Sequence, residues 1–77
     1  IAEGLDIFKV RVPAALEGKT VAGCGVREKT GCTIVSVRTG DAHTINPGPM
    51  DVLHEGSELV LVGGVEAESK FREAYAG

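Results

Sequence analysis

The sequence predicts a small α+β fold, with a mixed β-sheet, one short helix and one C-terminal helix in the order β-α-β-β-β-α. Three stretches carry this prediction. Residues 33–40 are rich in β-branched side chains, residues 5–12 alternate between apolar and polar side chains, and residues 65–76 repeat apolar side chains at helical spacing. Periods of two and of about 3.6 residues are typical of strands and helices respectively.

The first strand is predicted for Leu5–Val12, where every second side chain from Phe8 onwards is apolar. Pro13 ends this strand, because proline lacks the N–H group that would extend a β-ladder. Ala14–Gly18 then forms a turn that lets Leu16 reach the core.

A short helical segment is predicted next. Thr20 is a candidate N-cap, and Cys24 is expected to face the core. Gly25 should end that first turn, since glycine weakens a helix interior. A second turn over Val26–Thr30 should close at Gly31 in a left-handed conformation.

Thr33–Gly40 is predicted to be a central strand that ends on a cation. Strict alternation gives it two faces, with Thr33, Val35 and Val37 on one and Ile34, Ser36 and Arg38 on the other. From the residues alone, Arg38 has two interpretations. It is a bidentate contact to phosphate or carboxylate, or a surface cation paired with Asp41 or Glu58.

Gly40-Asp41 should turn the chain into a short strand over Ala42–Asn46, which makes a hairpin. Pro47–Pro49 predicts an irregular passage. Three apolar side chains are expected to anchor this passage by burial: Met50, Val52 and Leu53. The next strand, Glu58–Val62, is apolar on both faces, which favours a strand covered on both sides.

The C-terminal helix is predicted over Val65–Ala76, with its apolar stripe running from Ala67 to Tyr75. Two i,i+4 ion pairs should support it, Glu66–Lys70 and Glu68–Arg72. The succession of strand, helix and strand near the start of the chain also allows one parallel crossover pair, hence the mixed sheet.

The length and the net charge of the chain limit the classes of function that it can have. The 77 residues fit one domain over 5–77, preceded by a linker at 1–4. A net charge of −3, with scattered lysines and arginines, gives no basic footprint for nucleic acid. The longest apolar run, Leu59–Val62, is too short to cross a membrane. Because the chain starts at Ile1, we expect a piece of a longer protein.

Two nucleotide-binding motifs are incomplete. Gly18-Lys19-Thr20 resembles the end of a phosphate-binding P-loop, but Pro13 occupies the position of the glycine that such a loop needs. Gly23-Cys24-Gly25 begins a dinucleotide fingerprint, but Glu28 stands where its third glycine belongs. Neither motif predicts a binding site here.

No catalytic or metal residues are predicted. The four candidate zinc ligands are too widely spaced for the usual pairing of ligands: Cys24, Cys32, His43 and His54. Nothing places a base beside either thiol, and Asp51 and Glu55 lie in polar turns where solvated charge is the usual state. We therefore expect a protein that is not an enzyme.

Three blocks of the sequence resemble one known family in their order and spacing. The first runs from Leu16 to Val21 and continues as Val26–Gly31. The second is Ile34–Gly40, leading to Ile45-Asn46-Pro47, and the third is Leu53–Gly63 with a helix after it. Together they resemble the RCK_C, or TrkA-C, domain, the C-terminal regulatory domain of potassium-conductance regulators.

The resemblance implies a cytoplasmic, ligand-sensing and dimerisation domain of a potassium channel or potassium/cation transporter, at the inner face of the membrane. The implied partners are a second copy and a membrane-embedded channel or transporter subunit, which could belong to the same polypeptide. The implied regulatory ligand is cyclic di-AMP or another small anion at the dimer interface. The implied contacts are Ile34, Val35, Arg38, Asn46 and Pro47. The alternative is a structural dimerisation module that binds no ligand.

Overall fold

The chain forms a four-stranded sheet that carries two helices on its inner face. The computed structural model describes residues 4–75, and the N-terminal linker prediction falls mostly outside them. The elements are β1 (Leu5–Arg11), a 3-10 turn (Ala14–Leu16), α1 (Val26–Thr30), β2 (Thr33–Thr39), β3 (Ala42–Ile45), β4 (Glu58–Gly64) and α2 (Val65–Ala74). The predicted α+β class and element order are confirmed.

The sheet has the strand order β1-β4-β2-β3, and every pairing among the described strands is antiparallel. The predicted mixed sheet is therefore wrong. β1 and β2 do run in the same direction, but β4 inserts between them and pairs with both. β1 and β2 are therefore not neighbours in the sheet, because β4, which comes later in the chain, lies between them.

The inner face of the sheet builds the core. Across β1 and β4, Phe8 lies opposite Leu61 and Val10 opposite Leu59, and both leucines are fully buried. The ring of Phe71 on α2 meets the Phe8 ring edge-on, with 5.8 Å between centroids. The apolar stripe of α2 therefore packs directly over the two strands, and α1 packs beside α2.

The opposite face, which we call the outer sheet face, is apolar at Ile7, Ile45, Val60 and Val62 and carries the ion pair of Arg38 with Glu58. Ile7 lies opposite Val62 and remains 53% exposed, while Ile45 is 74% exposed. The two valines are only half-buried. The prediction that β4 is covered on both sides is wrong within the described residues, because both helices lie on the inner face.

In the connection from β1 to β2, the predicted turns form, but the helix begins only at Val26. Leu16 is buried at 1% exposure, as expected. The Thr20 hydroxyl accepts a hydrogen bond from the N–H of Gly23 (2.9 Å), yet this segment forms a turn without a helix. Gly25 has a φ of 75° and precedes α1 instead of ending an earlier turn. Gly31 closes α1 with a φ of 86°, the predicted left-handed conformation.

The passage after β3 is held by its backbone and by one leucine. Leu53 is fully buried, whereas Met50 and Val52 are 76% and 39% exposed. The prediction that all three anchor the passage by burial is therefore wrong for two of them. Backbone hydrogen bonds replace them: the Leu53 N–H donates to Lys19 O, and the Gly18 N–H donates to Leu53 O, both at 2.8 Å.

α2 follows its predicted pattern over the described residues, and Ala76 lies outside them. Among the ion pairs within residues 4–75, the predicted pair of Glu68 with Arg72 forms, with 2.9 Å between Arg72 Nη2 and Glu68 Oε2, and the predicted pair of Glu66 with Lys70 does not. Tyr75 ends the stripe against the Phe71 ring, 4.9 Å between centroids. The helix therefore docks through its central aromatic side chain and its last turn.

The Asp6 carboxyl on β1 makes the stability of the domain pH-dependent. Its pKa is raised above the ordinary 3.8, chiefly by hydrogen bonding with Glu68, then by desolvation and by the Glu68 charge. A raised pKa means that the folded chain holds this proton more tightly than the unfolded chain. The stabilisation is therefore present at low pH and is lost as pH rises through the folded pKa.

We expect Asp6→Asn to remove that pH dependence, because the amide still donates to Glu68 and cannot ionise. The measurement is the melting temperature of both proteins at a series of pH values from 3.8 towards neutrality. The melting temperature of the wild type should fall relative to that of Asp6→Asn across the series. A constant difference between the two proteins at every pH would contradict this role for Asp6.

Candidate functional site

A β-bulge interrupts the pairing of β2 with β4. Ile34 lies opposite Leu61 and Ser36 lies opposite Val60, so Val35 has no partner of its own on β4. Two residues of β2, Ile34 and Val35, thus stand against the single Leu61. Bulges of this kind bend a strand and redirect its side chains, and they are frequent beside binding sites.

The residue across from this bulge has an unusual backbone conformation. Asn46 has a φ of 55°, the one positive φ of a non-glycine residue within residues 4–75. Its N–H donates to Val35 O at 2.9 Å, which ties the end of the hairpin to the bulge. Asparagine tolerates this left-handed region better than most side chains. The bulge and Asn46 together direct the chain into Pro47.

A cavity of about 350 Å³ opens beside the bulge. It lies between the start of β2, the start of α1 and the proline-containing passage. Its volume is in the lower part of the range for small-molecule sites, which are mostly apolar with a few polar groups. The wall combines a thiol, two charged side chains and apolar groups: Cys24, Arg27, Glu28, Ile34, Pro47 and Pro49.

The cavity has a buried floor and a charged rim. Cys24 is 7% exposed, and its thiol donates to Val21 O at 3.0 Å. Cys32, at 1% exposure, also lines the cavity. Arg27 and Glu28 are exposed in the first turn of α1. A ligand could therefore bury an apolar part against the floor and place an anionic group at Arg27.

The five ligand-binding residues predicted from the sequence do not all lie together. Ile34 and Pro47 line the cavity, and the Val35–Asn46 backbone hydrogen bond lies beside it. Arg38 is on the outer sheet face, opposite Glu58. The predicted sharing of one face by Ile34 and Arg38 is wrong, because the bulge puts Ile34 on the inner face.

Arg38 forms the surface ion pair that was one of its two sequence interpretations. Its Nη2 lies 3.2 Å from Glu58 Oε1, and the two side chains are 50% and 34% exposed. An exposed pair of this kind contributes little to stability. The register of β2 with β4 nevertheless fixes where this ion pair lies, because it places Arg38 directly opposite Glu58.

Arg27 was not among the predicted site residues, although its segment belongs to the first block that resembles the family. It follows the buried Val26, which fixes the first turn of α1 against the core. Its place on the cavity depends on the turn at residues 20–25, which precedes α1. Local periodicity carries no information on that turn, and this is why Arg27 was missed.

The sequence profile of the TrkA-C domain matches residues 7–76, nearly the whole chain. The chain belongs to the TrkA-C domain family. This confirms the resemblance found in the sequence.

Relatives of this TrkA-C domain are parts of much larger proteins. The RCK domain of GsuK is 38% identical, with a TM-score of 0.87 over 96% of this chain and 17% of the GsuK chain. Potassium channel protein 1 of Methanocaldococcus jannaschii is 34% identical over 62 residues, which are 80% of this chain and 19% of that protein. The chain thus spans less than a fifth of either relative.

Some of the solved structures contain ligands. The RCK C domain of the potassium transport protein KtrA, in complex with cyclic diadenosine monophosphate, has a TM-score of 0.83 and 20% identity. It covers 95% of this chain, which covers 86% of that one. At this identity the likeness establishes the fold alone. The GsuK channel has also been solved bound to NAD.

Over residues 4–75, the TrkA-C domain has no helix that is long and apolar enough to cross a membrane.

Proposed function

We propose that this TrkA-C domain is a cytoplasmic, ligand-sensing and dimerisation domain of a potassium channel or potassium uptake system. The observation that carries the proposal is the cavity beside the bulge, where an apolar floor meets the guanidinium of Arg27. The two potassium channel relatives, GsuK and the Methanocaldococcus protein, support the class of transport system. The membrane-embedded partner is a channel or transporter subunit, and no nucleic acid is expected.

The proposed ligand is cyclic di-AMP or another small organic anion. KtrA supports this choice because its RCK C domain has been solved with cyclic diadenosine monophosphate. Apolar walls at Ile34 and Pro47 suit a nucleobase, and Arg27 suits a phosphate, because a guanidinium binds phosphate in a bidentate manner. Val35 and Asn46 are proposed contacts through the backbone around the bulge.

Regulation would follow from linkage between the ligand and the arrangement of two domains. A two-fold symmetric dinucleotide can contact two copies at once and stabilise the arrangement that it fits. It changes the state of a channel only by its difference in affinity for the two arrangements. The proposed site is therefore one half of a ligand site that a second copy completes.

The test is thermal unfolding with and without cyclic di-AMP, with NAD as the second ligand. At a ligand concentration 100 times Kd, binding stabilises by about 2.7 kcal/mol, equivalent to a rise in melting temperature of roughly 10–20 °C for a domain of this size. We expect a rise with cyclic di-AMP. Unchanged melting with both ligands would count against sensing of either one.

Two arginine variants locate the anion contact. We expect Arg27→Ala to lose most of the melting shift with cyclic di-AMP, because Arg27 is the cation on the cavity wall. Arg38→Ala is the comparison variant, since it removes the same group from the outer sheet face. Arg38 remains a predicted contact, and loss of the shift in Arg38→Ala with retention in Arg27→Ala would assign the anion to Arg38.

The second candidate is a structural dimerisation module without a ligand. The uncovered apolar side chains of the outer sheet face favour it, because solvated faces of antiparallel sheets usually carry polar side chains. It predicts a dimer in solution together with unchanged melting in the presence of both nucleotides.

A further inference from the structure

A second cavity lies on the inner side of the sheet, between the ends of β2 and β3 and the passage that follows β3. Its volume is about 320 Å³, close to that of the cavity beside the bulge. The two cavities share Pro47 and otherwise have different walls. The second cavity is lined by Val37, Thr39, Thr44, Pro47, Asp51, Val52 and His54. It is therefore a separate concave site, of a size that suits a small molecule.

The sheet supplies an apolar floor and two hydroxyl groups to this second cavity. Val37 is 8% exposed, and Thr44 lies directly opposite it on β3. Residues that lie directly opposite each other in an antiparallel pair present their side chains on the same face. Thr39, two residues after Val37 on β2, shares that face. Both threonine side chains thus stand beside the buried valine.

The polar side chains of the second cavity are held in place by contacts of their own. Thr39 Oγ1 lies 2.7 Å from Ser57 Oγ, and Ser57 is fully buried. Asp51 Oδ2 accepts a hydrogen bond from the Gly48 N–H at 2.8 Å. The backbone of Asp51 is also fixed, because its carbonyl oxygen accepts from the Val21 N–H at 2.8 Å. A ligand would therefore meet oxygen atoms that are already ordered.

The second cavity favours a cationic ligand. Within residues 4–75, no lysine or arginine lines it, and neither of the ion pairs there includes Asp51. The hydrogen bond from Gly48 engages Oδ2 of the carboxylate, so Oδ1 remains free to accept another. His54, when neutral, offers one further acceptor nitrogen. The cavity beside the bulge has the opposite preference, since Arg27 lies on its wall.

The arrangement of acceptors fits an ammonium group. An ammonium group has three N–H donors and no acceptor. The second cavity offers it three oxygen-bearing side chains, those of Thr39, Thr44 and Asp51. A sugar diol that bridged both carboxylate oxygens would compete with Gly48 for Oδ2. A bare metal cation would make no use of the apolar floor at Val37.

We propose that the second cavity binds a small aliphatic ammonium ion, that is, a protonated primary amine. The ammonium group contacts Asp51 and the threonine hydroxyls, and the hydrocarbon chain covers Val37 and Val52. This inference goes beyond the proposed function, because the ligand has the opposite charge and the site uses neither Arg27 nor Ile34.

Three probes with the same hydrocarbon chain test the choice of ligand: n-butylamine, 1-butanol and butyrate. At neutral pH the amine is protonated, as a lysine side chain with a pKa of about 10.4 is. The measurement is a titration of the ¹⁵N-labelled chain by NMR, which follows the backbone amides of Val37, Thr44 and Val52. Sodium chloride at the same concentration corrects for the effect of salt.

We expect n-butylamine to bind at least about tenfold more tightly than 1-butanol, because hydrogen bonds to a charged group are the stronger ones. Butyrate should bind more weakly than either, since its carboxylate would face that of Asp51. If n-butylamine leaves these amides unchanged, or binds no better than 1-butanol, the proposal is wrong.

Asp51→Asn locates the ammonium contact. The variant removes the charge and keeps an oxygen that can accept from Gly48. Its affinity for n-butylamine should fall at least about tenfold, while its affinity for 1-butanol should stay the same. Asp41→Asn makes the same change in an exposed turn outside the cavity, and it should bind n-butylamine like the wild type. Unchanged amine binding by Asp51→Asn, or an equal loss in both variants, would overturn the site.

Thr44→Val gives a second, independent variant. It removes a hydroxyl group from the second cavity and keeps the shape of an exposed strand residue. We expect weaker binding of n-butylamine and no loss for 1-butanol. The NMR spectra show whether each variant folds. If Asp51→Asn does not fold, Thr44→Val decides the question, and undiminished amine binding there would contradict the proposal. Because these samples contain no nucleotide, the results are independent of the cyclic di-AMP melting test.

Discussion

Leu61→Ala is expected to remove a large part of the stability of the domain. Leu61 is fully buried on β4, between Phe8 on one side and the bulge of β2 on the other. Replacing a buried leucine by alanine costs about 3–5 kcal/mol, because the cavity that remains closes only in part. A domain of 77 residues has a total stability of about 4–12 kcal/mol. Chemical denaturation of both proteins measures the difference in the free energy of unfolding.

Met50→Ala is the matched control for this substitution. It removes an apolar side chain of similar size, but Met50 is 76% exposed. Substitutions at such positions usually change stability by less than about 0.5 kcal/mol. We therefore expect Leu61→Ala to be far less stable than Met50→Ala. Similar losses in the two variants would mean that the passage around Met50 is buried in solution and that the core is not centred on β4.

The sequence predicts best those elements that are determined locally. The period of β1, the Gly40-Asp41 turn and the amphipathic pattern of α2 depend only on neighbours along the chain. All three elements form with ends within two residues of the prediction over the described part of the chain. Leu16 was also predicted to reach the core from the turn after Pro13, and it is 1% exposed.

The bulge at Val35 could not be predicted from β2 alone. Its position depends on how β2 aligns with β4, which follows more than twenty residues later in the chain. Strict alternation therefore assigned Ile34 to the wrong face. The same long-range pairing explains why the predicted mixed sheet is wrong. The residues that connect β1 to β2 carry no information on the later insertion of β4 between these two strands.

The candidate site was predicted in part, and only through the family resemblance. Ile34 and Pro47 line the cavity, but no periodicity or motif in the sequence indicates a cavity there. To predict Arg27 as a site residue, one would need the three-dimensional position of α1, which begins after Gly25 in its left-handed conformation. The apolar alternate positions of β4 predicted a second covered face, but the structure leaves Val60 and Val62 there only half-buried. That signal is consistent with a partner on the outer sheet face.

Gly63→Ala is expected to destabilise the domain by about 1–3 kcal/mol, because it adds a methyl group to a closely packed layer. A Cβ at Gly63 would lie 3.0 Å from the Ala67 Cβ on α2 and 3.1 Å from the Cys32 Sγ. Both neighbours belong to the packing between sheet and helix, and Cys32 is 1% exposed. Gly63 thus sets how closely α2 approaches the sheet. The measurement is the midpoint of chemical denaturation.

Gly64→Ala makes the same change at the next residue and should have the opposite sign. A Cβ there would have its nearest contact at 3.5 Å, to Gly4 O, which is an ordinary van der Waals distance. The backbone of Gly64, with φ of −71°, suits alanine. Replacing glycine at such a position stabilises by about 0.4–1 kcal/mol, since it restricts the unfolded chain. Equal effects at both positions would show that strand propensity, and not the approach of α2 to the sheet, determines the cost. Introducing Gly63→Ala into an Ala67→Gly background gives the second check, because the loss should become smaller once the facing methyl group is removed.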